Sequence, residues 1–244
     1  VNTKAPVKDN QLWTNCHYVP ETYSLIGAMA TSGKLIQWFM ESILGREKGV
    51  SDWEVLSAFN NEAKSVPAGS EGLLILPYFS GERTPLDDPK ARGIIAGLTL
   101  GHGKIHIYRA ILEGIAYGFM HHYEIIRDRG IAVNTIISAG GGVRNSLWTQ
   151  IISDVSGCPQ HCVITEVSSA PLGDAYMAGH GMGAFDLEKI IYFASKSKRR
   201  MVCPDRNAEK RYQSLYPLYR DLYEHSKSTV HALADAAEEL RYRE

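Results

Sequence analysis

An α/β fold is predicted by three features of the chain: short apolar runs alternate with segments of helical period, glycines mark the junctions between them, and the composition suits a globular core. From residue 133 onward the order strand, helix, strand, helix recurs, which predicts parallel pairing in that part. At 244 residues, with 44% hydrophobic and 22% charged, the chain can bury the core of one domain or of two small ones.

The elements follow in order. Leu35, Ile36, Phe39, Met40 and Ile43 recur at three- and four-residue spacing and predict an amphipathic helix over 33–44. A second helix is expected over 52–63, opened by Ser51 as N-cap with Glu54 three residues on, a capping box. The turn at 67–72 leads into a short buried strand at 73–76 that ends at Pro77, and the polar segment 80–89 reads as loop. Residues 93–98 are a strand candidate, 104–129 carry the longest helical pattern, and Gly130 ends it. A strand at 133–139 runs into three glycines, a helix over 145–155 is stopped by Gly157 and Pro159, and a strand at 160–165 precedes a small-residue helix at 171–182. The tail 207–244 places Tyr212, Leu215, Tyr216, Tyr219, Leu222 and Tyr223 on one helical face, with Pro217 expected to kink or interrupt it.

Composition excludes several functions. Twenty-six basic against twenty-seven acidic residues leave a formal charge of -1, so no global field holds the protein on nucleic acid or an anionic membrane. The longest apolar stretches, 73–79 and 111–120, are shorter than the roughly 18 residues of a membrane span, and 1–10 lacks a signal-peptide pattern. The expected address is the cytoplasm. Four cysteines, Cys16, Cys158, Cys162 and Cys203, are too few for a disulfide framework and read as mostly buried thiols. Cys158 and Cys162 bracket His161, but a structural zinc site needs a second close pair, so no metal site is assigned. Val1 is not an initiator methionine, which suggests a fragment.

The segment Ser138-Ala139-Gly140-Gly141-Gly142-Val143-Arg144-Asn145 lies between a buried strand and a helix. Glycines let a ligand approach the backbone, and the helix start offers unpaired N–H groups and a positive dipole end. Asn145 either caps that helix or presents its amide to a base or ribose; the alternative for the whole segment is a tight turn. It is not a dinucleotide fingerprint, since Gly-x-Gly-x-x-Gly would need glycine at Asn145. Gly33 could admit a phosphate to another helix start, or Thr31 or Ser32 simply caps it. Charge is concentrated in Gly81-Glu82-Arg83-Thr84-Pro85 and Asp87-Asp88-Pro89, read as functional loop or solvated turn. His106, His121 and His122 read as packing or surface residues, and the basic run 195–200 as a solvated loop rather than a nucleic-acid contact.

These residues also form a recognisable set. Gly93-Ile94-Ile95-Ala96-Gly97-Leu98, a seven-residue gap and His106-Ile107-Tyr108-Arg109-Ala110-Ile111-Leu112-Glu113 resemble the C-terminal signature of the FGGY family of carbohydrate kinases. The segment 76–85 resembles that family's cleft loop in its xylulokinase-like branch, and 140–145 with Trp148 and Gln150 its adenosine motif. Ala170-Pro171-Leu172-Gly173-Asp174-Ala175-Tyr176 matches a further family helix less well, with Asp174 where the family has a small residue. The resemblance covers about 18–223. It implies an actin-like, ribonuclease-H-like ATPase domain, a mixed sheet flanked by helices, with the sugar-binding first domain absent.

By the same resemblance, ATP with Mg²⁺ would be the cofactor, Gly33 would approach the terminal phosphates with Gln37 close by, and Gly140 and Gly141 with Asn145 would hold the adenosine. The general-base Asp and most sugar contacts belong to the missing domain, so no catalytic residue is assigned in this chain and the isolated chain is expected to be inactive. The implied activity of the whole protein is phosphorylation of a ketose such as D-xylulose. The alternatives are a glycerol, polyol or gluconate kinase of the same family, or a non-catalytic nucleotide-binding module. The expected partners are ATP or ADP and a sugar, with no nucleic acid and no membrane; a homodimer stays open.

Overall fold

The computed structural model describes residues 1–46, 53–164 and 169–241. An N-terminal antiparallel sheet, whose strands are too short to stand out in the sequence, is built from β1 (Asn2–Thr3), β2 (Trp13–Cys16) and β3 (Tyr23–Ile26) in the order β1-β3-β2. Then come α1 (Gly33–Trp38), α2 (Trp53–Ala63), β4 (Leu74–Leu76) and β5 (Ile94–Ala96), the two strands pairing antiparallel. Long helix α3 (Lys104–Asp128) precedes β6 (Ile136–Ser138), α4 (Ser146–Ser156) and β7 (Gln160–Val163). Beyond it lie α5 (Ser169–Gly181), α6 (Leu187–Ser195), β8 (Arg199–Val202) and α7 (Arg206–Arg241). The α/β class holds, and the mixed pairing is in β6-β7-β8: β6 runs parallel to β7 across the α4 crossover, and β8 runs antiparallel.

Several boundaries move for physical reasons. The helix expected over 33–44 is α-helical only to Trp38 and continues as a π-helical turn over Phe39–Ile43, where Leu44 N–H reaches back to the Phe39 carbonyl. The expected strands at 93–98 and 133–139 shrink to three residues each, because the chain pairs only where a partner strand lies beside it. The capping box at Ser51 and residue Thr165 lie outside the described residues. Helix α7 is not interrupted at Pro217. Proline in a helix interior costs about 3 kcal/mol, and burial of Tyr212, Tyr219 and Tyr223 on either side of it offsets that cost. The basic run 195–200 is not all loop, since Arg199 and Arg200 belong to β8. Cys158 and Cys162 are buried, whereas Cys16 and Cys203 are exposed.

The core is organised around α3. Tyr108, Ile111, Leu112, Ile115 and Tyr117 are buried in one cluster with Phe39, Ile75, Leu76, Ile151 and Tyr219, each large side chain contributing about 1.5–3 kcal/mol. Gly114 lets the helix approach the sheet, because an added Cβ would overlap the carbonyl oxygen of Ile75 in β4. Among these side chains lies an ion pair: Arg109 Nε donates to Glu113 Oε1 at 2.8 Å, with side-chain exposures of 9% and 3%. Arg109 Nη1 also donates to the Ala63 carbonyl at the end of α2. Glu113 accepts from Gly69 N–H, the Ser70 hydroxyl and the Tyr212 hydroxyl of α7.

A charge held by that many partners is costly to leave alone. Glu113→Leu strands the Arg109 guanidinium in the core and is expected to destabilise the protein by about 3–5 kcal/mol, measured by urea unfolding. Glu124→Gln, in the half-exposed pair with Arg220, is expected to cost no more than about 1 kcal/mol.

Candidate functional site

The glycine segment forms a 3₁₀ turn over Gly141–Arg144 between β6 and α4. Gly140 enters it at φ 95, a conformation that favours glycine. Gly140 and Gly141 are exposed, and among the described residues an added Cβ at either meets no atom within 4 Å. Gly142 differs, since a Cβ there would overlap the Trp148 ring packed beneath it. Packing therefore calls for glycine at Gly142, while the outer face at Gly140 and Gly141 is open space.

Asn145 takes the capping role. Its Oδ1 accepts from Trp148 N–H at 3.0 Å, while its Nδ2 donates to the Tyr108 hydroxyl at 3.1 Å. Tyr108 in turn donates to Asn60 Oδ1 at 2.6 Å, so a buried chain of three polar side chains links α4, α3 and α2. Gln150 is turned away from the turn: its Nε2 donates to Asp154 Oδ1 and to the Cys203 carbonyl. Arg200, from β8, donates to the Val143 carbonyl and to Thr149 Oγ1. Sequence reasoning missed it because a basic run reads as solvated surface.

The second candidate patch is the start of α1. Among the described residues, Ser32 makes no side-chain capping bond there, Gly33 has no atom within 4 Å of an added Cβ, and just before it the Thr31 hydroxyl is buried without a hydrogen-bond partner. Gln37 is exposed and donates to Glu41 Oε1 at 2.8 Å. Gly33 and Gln37 thus share one helix, while Gly140, Gly141 and Asn145 share the β6–α4 junction. Both α1 and α4 pack on α3.

The charged loop at 80–89 is not a solvated turn. Glu82, Thr84 and Asp88 are buried. Glu82 Oε1 accepts from the amides of Ala30 and Arg83, and Thr84 Oγ1 accepts from Ala28 N–H, so the loop grips the strand-to-helix segment that leads to Gly33. Burial pushes the Glu82 carboxyl above the usual range, against the lowering effect of those amides. Asp88 Oδ2 accepts from the Tyr223 hydroxyl at 2.7 Å and pairs with His231 at 2.8 Å, both on α7. Burial alone would raise its pKa, but the His231, Tyr223 and Lys90 contacts together hold it below the ordinary value. Arg83 lies over the Trp13 ring at 4.9 Å.

With this geometry in place, comparison with known proteins assigns the chain. Residues 1–182 match the profile described as "FGGY family of carbohydrate kinases, C-terminal domain", and the chain belongs to that family. It is 30% identical over 218 residues to the xylulose kinase of Bacillus subtilis, covering 89% of this chain and 42% of that protein. It is 37% identical over 172 residues to the glycerol kinase of Citrifermentans bemidjiense, covering 69% of this chain and 32% of that protein. The solved xylulose kinase of Rhodospirillum rubrum superposes with a TM-score of 0.82 at 29% identity, covering 95% of this chain and 45% of that one. The chain therefore spans less than half the length of these relatives. A Plasmodium falciparum glycerol kinase solved with ADP, at 23% identity and a TM-score of 0.71, shares the fold.

Two buried histidines of α3 set a pH dependence. His122 lies against Thr84 Oγ1 at 2.9 Å and the Gly118 carbonyl at 2.8 Å. Burial pulls its pKa down despite those bonds. His121 is pulled down to about 3, by burial first and then by the charges of Arg220 and His122. Both pKa values are lower folded than unfolded, so their stabilising contribution is complete above the unfolded value of about 6.5 and is lost as pH falls below it. Unfolding free energy is expected to fall by up to about 1.4 kcal/mol per pH unit for each neutral histidine as acid is added. Denaturation series from pH 8 to pH 4 measure it, and His121→Phe should flatten the slope.

Proposed function

We propose that this chain is the ATP-binding half of a kinase that phosphorylates a ketose, with D-xylulose first among the candidates. The observation that carries the reading is the open space at Gly33 and Gly141: the backbone is bare on faces where the fold itself has nothing to accommodate. A nucleotide lying on those faces gives the missing side chains a purpose. Adenosine would lie on Gly140 and Gly141, against the helix start that Asn145 fixes, and the terminal phosphates would approach Gly33 with Gln37 close by. A helix start favours anionic oxygens through its free N–H groups and dipole.

ATP, when bound, supplies the phosphoryl group, and Mg²⁺ neutralises charge on its oxygens. Among the described residues no three His, Cys, Asp or Glu side chains converge, so Mg²⁺ would be held through the phosphates. The chain's own residues bind and orient, and phosphoryl transfer depends chiefly on such positioning and on electrostatic stabilisation. The base that takes the sugar's proton would come from the rest of the protein. The names of the xylulose kinase relatives support the substrate. Glycerol is the second reading, favoured by the higher identity to a glycerol kinase over a shorter span.

Calorimetric titration of Mg-ADP into the full-length protein and its Gly141→Val variant tests the site. The variant should fold, because its side chain points into open space, and should bind at least tenfold more weakly. Unaltered binding would refute the site. A sugar screen on the full-length protein is expected to show D-xylulose phosphorylated and glycerol ignored. The isolated chain should give no sugar-dependent ADP, and detectable turnover would overturn the division of labour.

A further inference from the structure

Arg200 stands apart from its basic neighbours. Along β8 the side chains alternate, so Arg199 and Met201 are exposed while Val202 is buried and Arg200 shares its face. That face packs on α4. The Arg200 guanidinium reaches across to the glycine turn, where one nitrogen, Nη2, donates both to the Val143 carbonyl at 3.1 Å and to Thr149 Oγ1 at 3.2 Å. The two acceptors lie on opposite sides of the junction: Val143 is the third residue of the turn, and Thr149 is in the first turn of α4. Thr149 is itself fixed, its N–H bonded to the Asn145 carbonyl and its hydroxyl donating to Ser146 O.

We propose that Arg200 is a positioning residue for nucleotide binding, holding the outer face of Gly140 and Gly141 at a set angle to the N-terminus of α4. A bound nucleotide would need both at once: the bare turn for close approach and the helix start for its N–H groups. Trp148 supports the turn from beneath by packing, and Asn145 caps the helix while its own N–H takes the Gly142 carbonyl at 3.1 Å. Arg200 adds a side-chain tie from the next carbonyl, that of Val143, to Thr149 inside the helix, and it does so from a strand that follows the turn by more than fifty residues. Both bonds come from the one nitrogen Nη2, whose two N–H directions are fixed by the guanidinium plane, whereas the N–H groups of a lysine ammonium rotate freely.

The proposal rests on the nucleotide reading of the turn, and its test separates the two. In the full-length protein, Arg200→Met keeps most of the aliphatic stem and loses every donor, while Arg200→Lys keeps a charge and donors but not their fixed direction. Calorimetry with Mg-ADP is expected to show binding weakened about tenfold in Arg200→Met and less in Arg200→Lys. In steady-state assays the KM for ATP should rise while the KM for the sugar is unchanged. Lowered thermal stability in Arg200→Met with unaltered ADP affinity would overturn the proposal, as would equal rises in both KM values. If Gly141→Val weakens ADP binding and Arg200→Met does not, Arg200 has no positioning role; if neither does, the nucleotide reading of the turn fails as well.

Discussion

The Arg109–Glu113 pair is the interaction on which the rest of the domain is assembled. Two charges buried in an apolar cluster persist only when every remaining donor and acceptor is matched, and here the matching groups come from distant parts of the chain. The Ala63 carbonyl ends α2, Gly69 and Ser70 belong to the turn before β4, and Tyr212 opens the buried face of α7. Satisfying one ion pair therefore fixes the relative positions of three elements around α3. One residue before Arg109, Tyr108 extends the same arrangement to Asn60 and Asn145, so the polar core of the domain is continuous with the cap of the helix behind the glycine turn.

This continuity accounts for how the two candidate patches are supported. The start of α1 is held from the loop at 80–89, through Glu82 and Thr84. The glycine turn is held from α3 and from β8. Both patches are braced from distant parts of the chain as well as locally, and their exposed faces stay free of side chains. Glycine serves opposite purposes within a few residues: Gly142 gives way to Trp148, and Gly141 gives way to nothing among the described residues.

The fold class, the long helix α3, the β6–α4–β7 unit and the position of the glycine turn were legible because each depends on local period or on residues with restricted backbone behaviour. The sheet β1-β3-β2 was not, since strands of two to four residues are too short to carry an alternation that can be detected. Helix α6 and strand β8 were hidden for a related reason: an Arg-Arg-Met-Val strand at a sheet edge resembles surface loop until its pairing with β7 is seen. At the site, Gly33 and Gly141 could be picked out from sequence, but the open space around them could not. The burial of Glu82 and Asp88 was invisible, because their partners lie 52 residues away at Ala30 and 135 and 143 residues away at Tyr223 and His231. Charged residues read as solvated when the groups that neutralise them are so remote.

The grip of α7 on Asp88 bears on how the protein can be handled. Tyr223 and His231 reach the loop from two turns apart, and Lys90 continues the seam to Asp235 at 2.6 Å. The stretch of α7 from Tyr223 to Asp235 thereby clamps the same loop that braces the approach to Gly33. A reporter or affinity handle joined on the near side of Asp235 would pull on that clamp and reach the start of α1 through the loop. One joined past Glu238 would hang from helix beyond these contacts.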